Sequence, residues 1–248
     1  DTHEVGFNCI INKLDPRARY VGGHFITPSF YGDISDVDLV LYVAIHAASG
    51  TTNAFFPHTH YGVFSEMRIN YRPVCEMDIY GGYLGEFGIP VGFVSGEEVA
   101  IRQAVKTLPW AKSVIVEKRK EVYTSGDESI AYLTRGRRKL KETAAQAVND
   151  IKEMKPLVHP GPLHFSADFR SVELANKFNT WDFSQNERTV EWNADNMIDG
   201  FEKLNMLTFF SRKIYPVRRP LSFLTRGFFR LKNNYFCPKP NPEGAPMI

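Results

Sequence analysis

The sequence predicts an α/β fold, a mixed or parallel sheet flanked by helices, followed by an extended basic C-terminal arm. Short β-rich runs alternate with longer helical patterns across residues 1–210, the arrangement expected of an α/β domain. DLVLYVAI (38–45) is a continuous apolar run, as a strand buried on both faces would be. From Ser211 the pattern changes: six prolines (Pro216, Pro220, Pro238, Pro240, Pro242, Pro246) and no sustained period predict an extended arm and not a second domain. The expected division is therefore an α/β domain over 1–210 and a Pro-rich tail over 211–248.

In chain order, 38–45 is the first strand and VFSEMRIN (63–70) the second, running into a turn at Tyr71-Arg72-Pro73. The spacing from Val74 to Phe87 suits a helix, ended near Gly88-Ile89-Pro90. IPVGFVSG (89–96) is again a buried strand, and EEVAIRQAVKTL (97–108) is an amphipathic helix stopped by Pro109. SVIVEKRKEVY (113–123) reads as a strand and is followed by a long charged helix between about Asp127 and Lys155. The run PLHFSADF (162–169), a helix around Glu173 to Phe178, a strand near ERTVEW (187–192) and a helix from Asp195 to about Phe210 complete the body.

At 248 residues the chain is long enough to bury a substantial core, and 43% hydrophobic with 23% charged residues is a soluble globular composition. No apolar run approaches the roughly 18 residues of a membrane span, and no charged-then-apolar leader is visible. Cys9, Cys75 and Cys237 are odd in number, far apart and without a CxxC pair. They argue against a disulfide framework and suit the cytoplasm or another reducing compartment. The net charge of +2 conceals an asymmetry: residues 211–240 hold eight basic side chains and no acid, whereas 1–210 hold 22 basic and 27 acidic ones. The two parts are expected to have different jobs.

The chemistry gathers in HAASGTTNAFFPHTHYGVFSEMRINYRPVCE (46–76), which carries three of the seven histidines. His46 closes the strand 38–45 and precedes a loop of small residues. Ligands in open α/β sheets bind beyond the carboxyl ends of strands, so His46 is either a metal or substrate ligand there or a capping histidine. Pro57 biases Phe56 toward extended backbone, and alternation would put His58 and His60 on one face. That pair suits a borderline metal such as zinc, one ligand beside one base, or two surface histidines. Glu76 is either a carboxylate answering a helix N-terminus or an oxygen ligand, with Asp78 its competitor. Ser49, Thr51, Thr52 and Asn53 lie on the loop after His46 and are candidate peptide contacts by position. No HExxH, GxxxxGK[ST], GxGxxG or GxSxG is present, so zincin, nucleotide-binding and serine-hydrolase motifs find no match. His159 and His164 read as structural, His24 is uninformative, and the run Arg135 to Lys141 reads as a solvated helix face.

Taken in order, these residues resemble the DppA-type D-aminopeptidases, a family of dinuclear zinc peptidases that assemble into a decameric ring. The resemblance runs over most of residues 1–210. It is carried by Asp1-Thr2-His3, His46-Ala47, His58, and Ile69-Asn70-Tyr71-Arg72-Pro73-Val74-Cys75-Glu76. Gly-Ile-Pro-Val (88–91) and Val94-Ser95-Gly96-Glu97-Glu98 continue it. NxRPVxE, whose glutamate stands eighteen residues after His58, is its most specific piece. The resemblance implies that His3, His46 and Glu76 are metal ligands, that His58 is the nucleophile or general base, and that His60 is no ligand. It implies zinc, with a second ion in the family. The family's opening Asp-x-Glu-Gly segment has no match here. The expectation is that this sequence is a fragment that lacks it, that a separate chain supplies it, or that it is lost in a derived member.

The mechanism implied is a metal-dependent aminopeptidase acting on short peptides with an N-terminal D-amino acid, in which two divalent ions about 3.5–4 Å apart activate a water and His58 moves its proton. The alternative is a catalytically retired member kept as a structural subunit of a larger assembly, docked by its basic tail. A homo-oligomeric ring is the expected assembly. The tail aromatics Phe223, Phe228, Phe229, Tyr235 and Phe236 suit an arm wrapping a neighbouring subunit, with nucleic-acid binding as the second reading.

Overall fold

The computed structural model describes residues 10–18, 34, 36–116, 127–179 and 183–209. Its main compact unit runs from Asp33 to Phe210. Residues 10–18 belong to a separate unit and form a short 3-10 turn, Ile11–Lys13. The basic tail and the start of the chain, including His3 and His24, lie outside the described residues.

The expected mixed sheet resolves into two. Strands β1 (Val40–Ile45), β4 (Val91–Gly96) and β5 (Lys112–Ile115) form a parallel sheet in the order β1-β4-β5. Strands β2 (Phe64–Ile69), β3 (Arg72–Pro73), β6 (Leu163–Phe169), β7 (Ser184–Asn186) and β8 (Thr189–Ala194) form an antiparallel one in the order β3-β2-β6-β8-β7. The helices are α1 (Glu76–Gly85), α2 (Glu98–Thr107), α3 (Asp127–Asn149), α4 (Val172–Phe178) and α5 (Met197–Phe209). No described helix is long and apolar enough to cross a membrane.

β4 is buried along its whole length, as its apolar run predicts. β1 is not: Val43 is 65% exposed and Leu41 37%, because β1 is the edge of its sheet among the described residues. The sheet packs on α3 and the turn after it, with Phe93 and Val114 clustering with Ala147 of the helix and Met154 beyond it. The antiparallel sheet buries Phe64, Phe165 and Phe169, and α5 approaches it with Gly200 against the Phe165 ring.

Local chemistry moves several boundaries. The predicted helix over 74–87 starts at Glu76, because the Val74 N–H is taken by the Met67 carbonyl at 2.9 Å and Cys75 is the extended cap residue. The predicted strand over 187–192 starts two residues later, because Glu187 at φ 50° turns the hairpin between β7 and β8. The Asp195–Phe210 helix begins at Met197, after the Asn196 side chain accepts the Asp199 N–H at 2.9 Å. The long charged helix ends at Asn149 and is followed by the 3-10 turn Ile151–Glu153. β5 ends at Ile115, and residues 117–126 lie outside the described residues.

α1 is buried from Met77 to Gly85 except for Asp78, with three glycines on a stretch where helices favour larger residues. Their reason is close approach: the segment Leu157–His159 lies along them, and a Cβ at Gly85 would overlap the Leu157 backbone. Gly85→Ala is therefore expected to destabilise the protein by about 1–3 kcal/mol or more. Gly62→Ala, where a Cβ meets nothing within 4 Å, is expected to stay within about 0.5 kcal/mol. Chemical denaturation of the two variants checks the contrast.

Arg68 joins β2 to β6 through both Asp168 oxygens, at 3.3 and 3.2 Å, and Thr189 of β8 donates to the same carboxylate at 2.8 Å. Burial tends to raise the Asp168 pKa, but the Arg68 and Thr189 hydrogen bonds outweigh it and the net shift is downward. A depressed carboxylate contributes stability above its unfolded pKa of about 3.9, which is lost as pH falls through the lower folded value. Asp168→Asn is expected to remove that part of the acid-side pH dependence in denaturation curves taken from pH 6 down to pH 2.

Candidate functional site

β1 and β4 end in register, Ile45 opposite Gly96, after an irregularity that sets three β1 steps against two on β4. Ala44 in that stretch has φ 63°. The extra residue is a bulge of the kind that redirects side chains beside active sites, and His46 follows it at the carboxyl end of the parallel strand.

The loop after His46 is folded back on itself. His58 N–H donates to the Ala47 carbonyl at 3.0 Å. Ser49 N–H donates to Thr59 Oγ1 at 3.0 Å, and Thr59 N–H donates to Ser49 Oγ at 2.8 Å. Gly50, at φ 78°, passes so close to the Ser65 carbonyl that a Cβ would sit 2.8 Å from its oxygen. Gln103 of α2 accepts the Ala48 N–H at 2.8 Å and donates to the Thr51 hydroxyl at 3.0 Å. Glu97, which follows β4, accepts the Phe55 N–H at 2.6 Å.

These ties bring His46 and His58 together, with ring centroids 4.6 Å apart and Phe56 set edge-on to both at 5.9 and 5.1 Å. His58 Nδ1 lies 2.9 Å from the Phe56 carbonyl. A carbonyl only accepts, so Nδ1 donates, and in the neutral form of the ring the lone pair lies on Nε2. That nitrogen is 3.7 Å from Glu76 Oε1.

Glu76 arrives from the other side. Asn70 and Tyr71, at φ 49° and 65°, form the two-residue turn between β2 and β3, the backbone that matches strand twist in tight hairpins. Asn70 is fixed to His164 in both directions: its N–H donates to the His164 carbonyl at 2.7 Å, and its side chain accepts the His164 N–H at 2.8 Å. Arg72-Pro73 then lead to the Cys75 cap, placing Glu76 in the first turn of α1. Burial raises the Glu76 carboxyl above its ordinary range, against the opposing pull of His58 and of the His60 N–H. Asp78 is differently occupied: it accepts the Cys75 N–H at 2.9 Å and the Thr107 hydroxyl at 2.8 Å. It caps α1 and ties it to α2.

The alternation expected of His58 and His60 is absent, because His60 turns the chain at φ 63°. His60 faces α1 and α5 instead, with Nδ1 3.0 Å from the Tyr80 hydroxyl and Nε2 3.2 Å from Thr208 Oγ1. The Thr208 hydroxyl donates to the Leu204 carbonyl at 2.9 Å. It therefore accepts from Nε2–H, and Nδ1 accepts from Tyr80. Burial, then His58, lowers the His60 pKa to about 3, so the ring stays neutral.

Of the predicted site residues, the structure gathers His46, His58 and Glu76, with His58 the common neighbour. His3 lies outside the described residues. Ser49 is buried and its hydroxyl is engaged by Thr59, Thr51 is engaged by Gln103, and Thr52 and Asn53 are exposed. Sequence reasoning missed Gln103 and gave Glu97 no role beyond its place in the Val94–Glu98 motif; their contacts span 55 and 42 residues. Imidazole and carboxylate are the donor types zinc takes, and a desolvated carboxylate beside a histidine suits a cation. In donor chemistry the residues fit zinc. Among the described residues no three His, Cys, Asp or Glu side chains form a complete metal group.

Beyond the end of a parallel strand, then, a half-buried glutamate meets His58, and His58 meets His46, in an α/β fold. A family model described as D-aminopeptidase matches residues 1–206, and the chain belongs to that family. The curated D-aminopeptidase of Bacillus subtilis (strain 168) is 24% identical over 212 residues, covering 84% of this chain and 76% of that protein. A solved structure, the Zn-dependent D-aminopeptidase DppA from Bacillus subtilis, described as a self-compartmentalizing protease, has a TM-score of 0.68 at 23% identity. The match covers 80% of this chain and 73% of that one, and at this identity it shows a shared fold.

Thr59→Val is expected to strand the buried Ser49 N–H, lowering stability by about 1–3 kcal/mol. Denaturant titration measures the loss.

Proposed function

We propose that the protein is a zinc-dependent aminopeptidase that hydrolyses short peptides with an N-terminal D-amino acid, and that His58 is its proton-transfer residue. The observation that carries the reading is the tautomer of His58: with Nδ1–H held by the Phe56 carbonyl at 2.9 Å, Nε2 is a ready proton acceptor beside Glu76. Membership of the D-aminopeptidase family supplies the substrate class.

His3, His46 and Glu76 would hold zinc, by their match to the family's ligand positions. When bound, zinc polarises a peptide carbonyl and makes a bound water more acidic. His58 Nε2 takes a proton from the attacking water and returns it to the departing amine. Phe56 sets its ring edge-on against both histidines. Thr52 and Asn53, exposed on the loop after His46, are the loop groups open to the peptide; Ser49 and Thr51 shape that loop through Thr59 and Gln103. A homo-oligomer is the proposed assembly, supported by the self-compartmentalizing relative.

The test uses the full-length protein with zinc and peptides differing only in an N-terminal D- or L-alanine. Cleavage is expected for the D-peptide. His58→Ala is expected to lower kcat by about 10²–10⁴-fold with bound zinc unchanged; undiminished turnover would remove His58 from its role.

A further inference from the structure

The chain turns at His60 in an uncommon way. The Tyr61 N–H donates to the Thr59 carbonyl at 2.6 Å, across one residue, and that residue has φ 63°. A three-residue turn with positive φ at its centre is the rare, strained form, and the histidine Cβ opposes it. Such strain persists only where its surroundings over-determine it, and it concentrates at functional sites.

The surroundings here are specific. Thr59, on one side, is clasped by Ser49 and donates its hydroxyl to the Val74 carbonyl at 3.3 Å. On the other side the imidazole spans Tyr80 of α1 and Thr208 of α5, and its ring packs edge-on to Phe201 at 5.7 Å. Between these two anchorages the His60 N–H donates to Glu76 Oε1 at 3.1 Å.

We infer that His60 is a positioning residue for Glu76: its imidazole is a buried strut that holds a strained turn, so that the turn's amide fixes one carboxylate oxygen. His60 is in this reading the orienting partner of a ligand and touches no reacting atom. Hydrogen bonds to ligating carboxylates orient them, and their loss costs about 10–100-fold in metal affinity. The inference deepens the zinc-site reading and rests on it for its effect on metal. The strut also joins the last turn of α5 to the site, through a contact spanning 148 residues.

The experiment weakens the strut without altering the turn itself. In the full-length protein, Tyr80→Phe with Thr208→Val removes the two hydroxyls that the imidazole meets. Zinc affinity, measured by competition with a chromophoric chelator, is expected to fall about tenfold or more. The same pair added to Glu76→Ala is expected to change nothing further, because the carboxylate through which it acts is gone. Unchanged affinity, or an equal fall in the Glu76→Ala background, overturns the inference. Hydrogen exchange of the His60 amide gives a metal-free reading. Exchange is expected to accelerate both in Glu76→Ala and in the Tyr80→Phe, Thr208→Val pair, and equal protection in all forms overturns the inference. A wild-type protein that binds no zinc but shows this acceleration sinks the zinc-site reading and retains the positioning role.

Discussion

The site depends on the reciprocal hydrogen bonds between Ser49 and Thr59, each residue donating its N–H to the other's hydroxyl. They close the segment that begins at His46 and ends at His60, so that histidines twelve residues apart in sequence meet with ring centroids 4.6 Å apart. Both residues are buried, Thr59 completely, where an unmade hydrogen bond is costly. Opening the clasp therefore exposes polar backbone groups that have no other partner of that quality, and the loop keeps one conformation.

A second set of constraints brings the carboxylate to the imidazoles. The turn at Asn70 and Tyr71 sets where β3 ends, the Cys75–Asp78 cap sets where α1 begins, and Glu76 falls in the first helical turn. α1 fixes this placement because its glycines let the segment 157–159 lie against it. The result is an electrostatic contrast across a few ångströms. Glu76 is a desolvated carboxyl with a raised pKa, and His58 turns Nε2 toward it. His60, behind them, is held neutral. A buried carboxylate next to an imidazole is poised for a cation or a proton, the two things that peptide hydrolysis by a metal requires.

Much of this was legible in the sequence, for reasons that differ by element. β4 read correctly because a doubly buried strand draws mainly on apolar and small residues, VGFVSG here. β1 has the same composition, yet Val43 is exposed: composition cannot tell an edge strand from a central one. β7, Ser184–Asn186, is three polar residues with no period to detect. Cys75 is not a residue that marks a helix start, so α1 was placed too early. His46, His58 and Glu76 were visible as chemistry-bearing residues around small-residue and turn signals. The division of labour between His58 and His60 was legible only through the family resemblance, not from the spacing of the two residues. Alternation failed because His60 adopts positive φ, in a turn whose ring contacts with Tyr80 and Thr208 are remote in sequence. Gln103 escaped notice because nothing local distinguishes a glutamine that braces a distant loop from one facing water.

The account stands on zinc being gripped by imidazole and carboxylate beyond the end of β1. X-ray absorption at the zinc edge, on the zinc-loaded full-length protein and its His46→Ala variant, addresses this directly. The account predicts nitrogen and oxygen donors with clear imidazole scattering that diminishes when His46 is removed. Zinc without imidazole scattering, or a spectrum indifferent to His46, would contradict it.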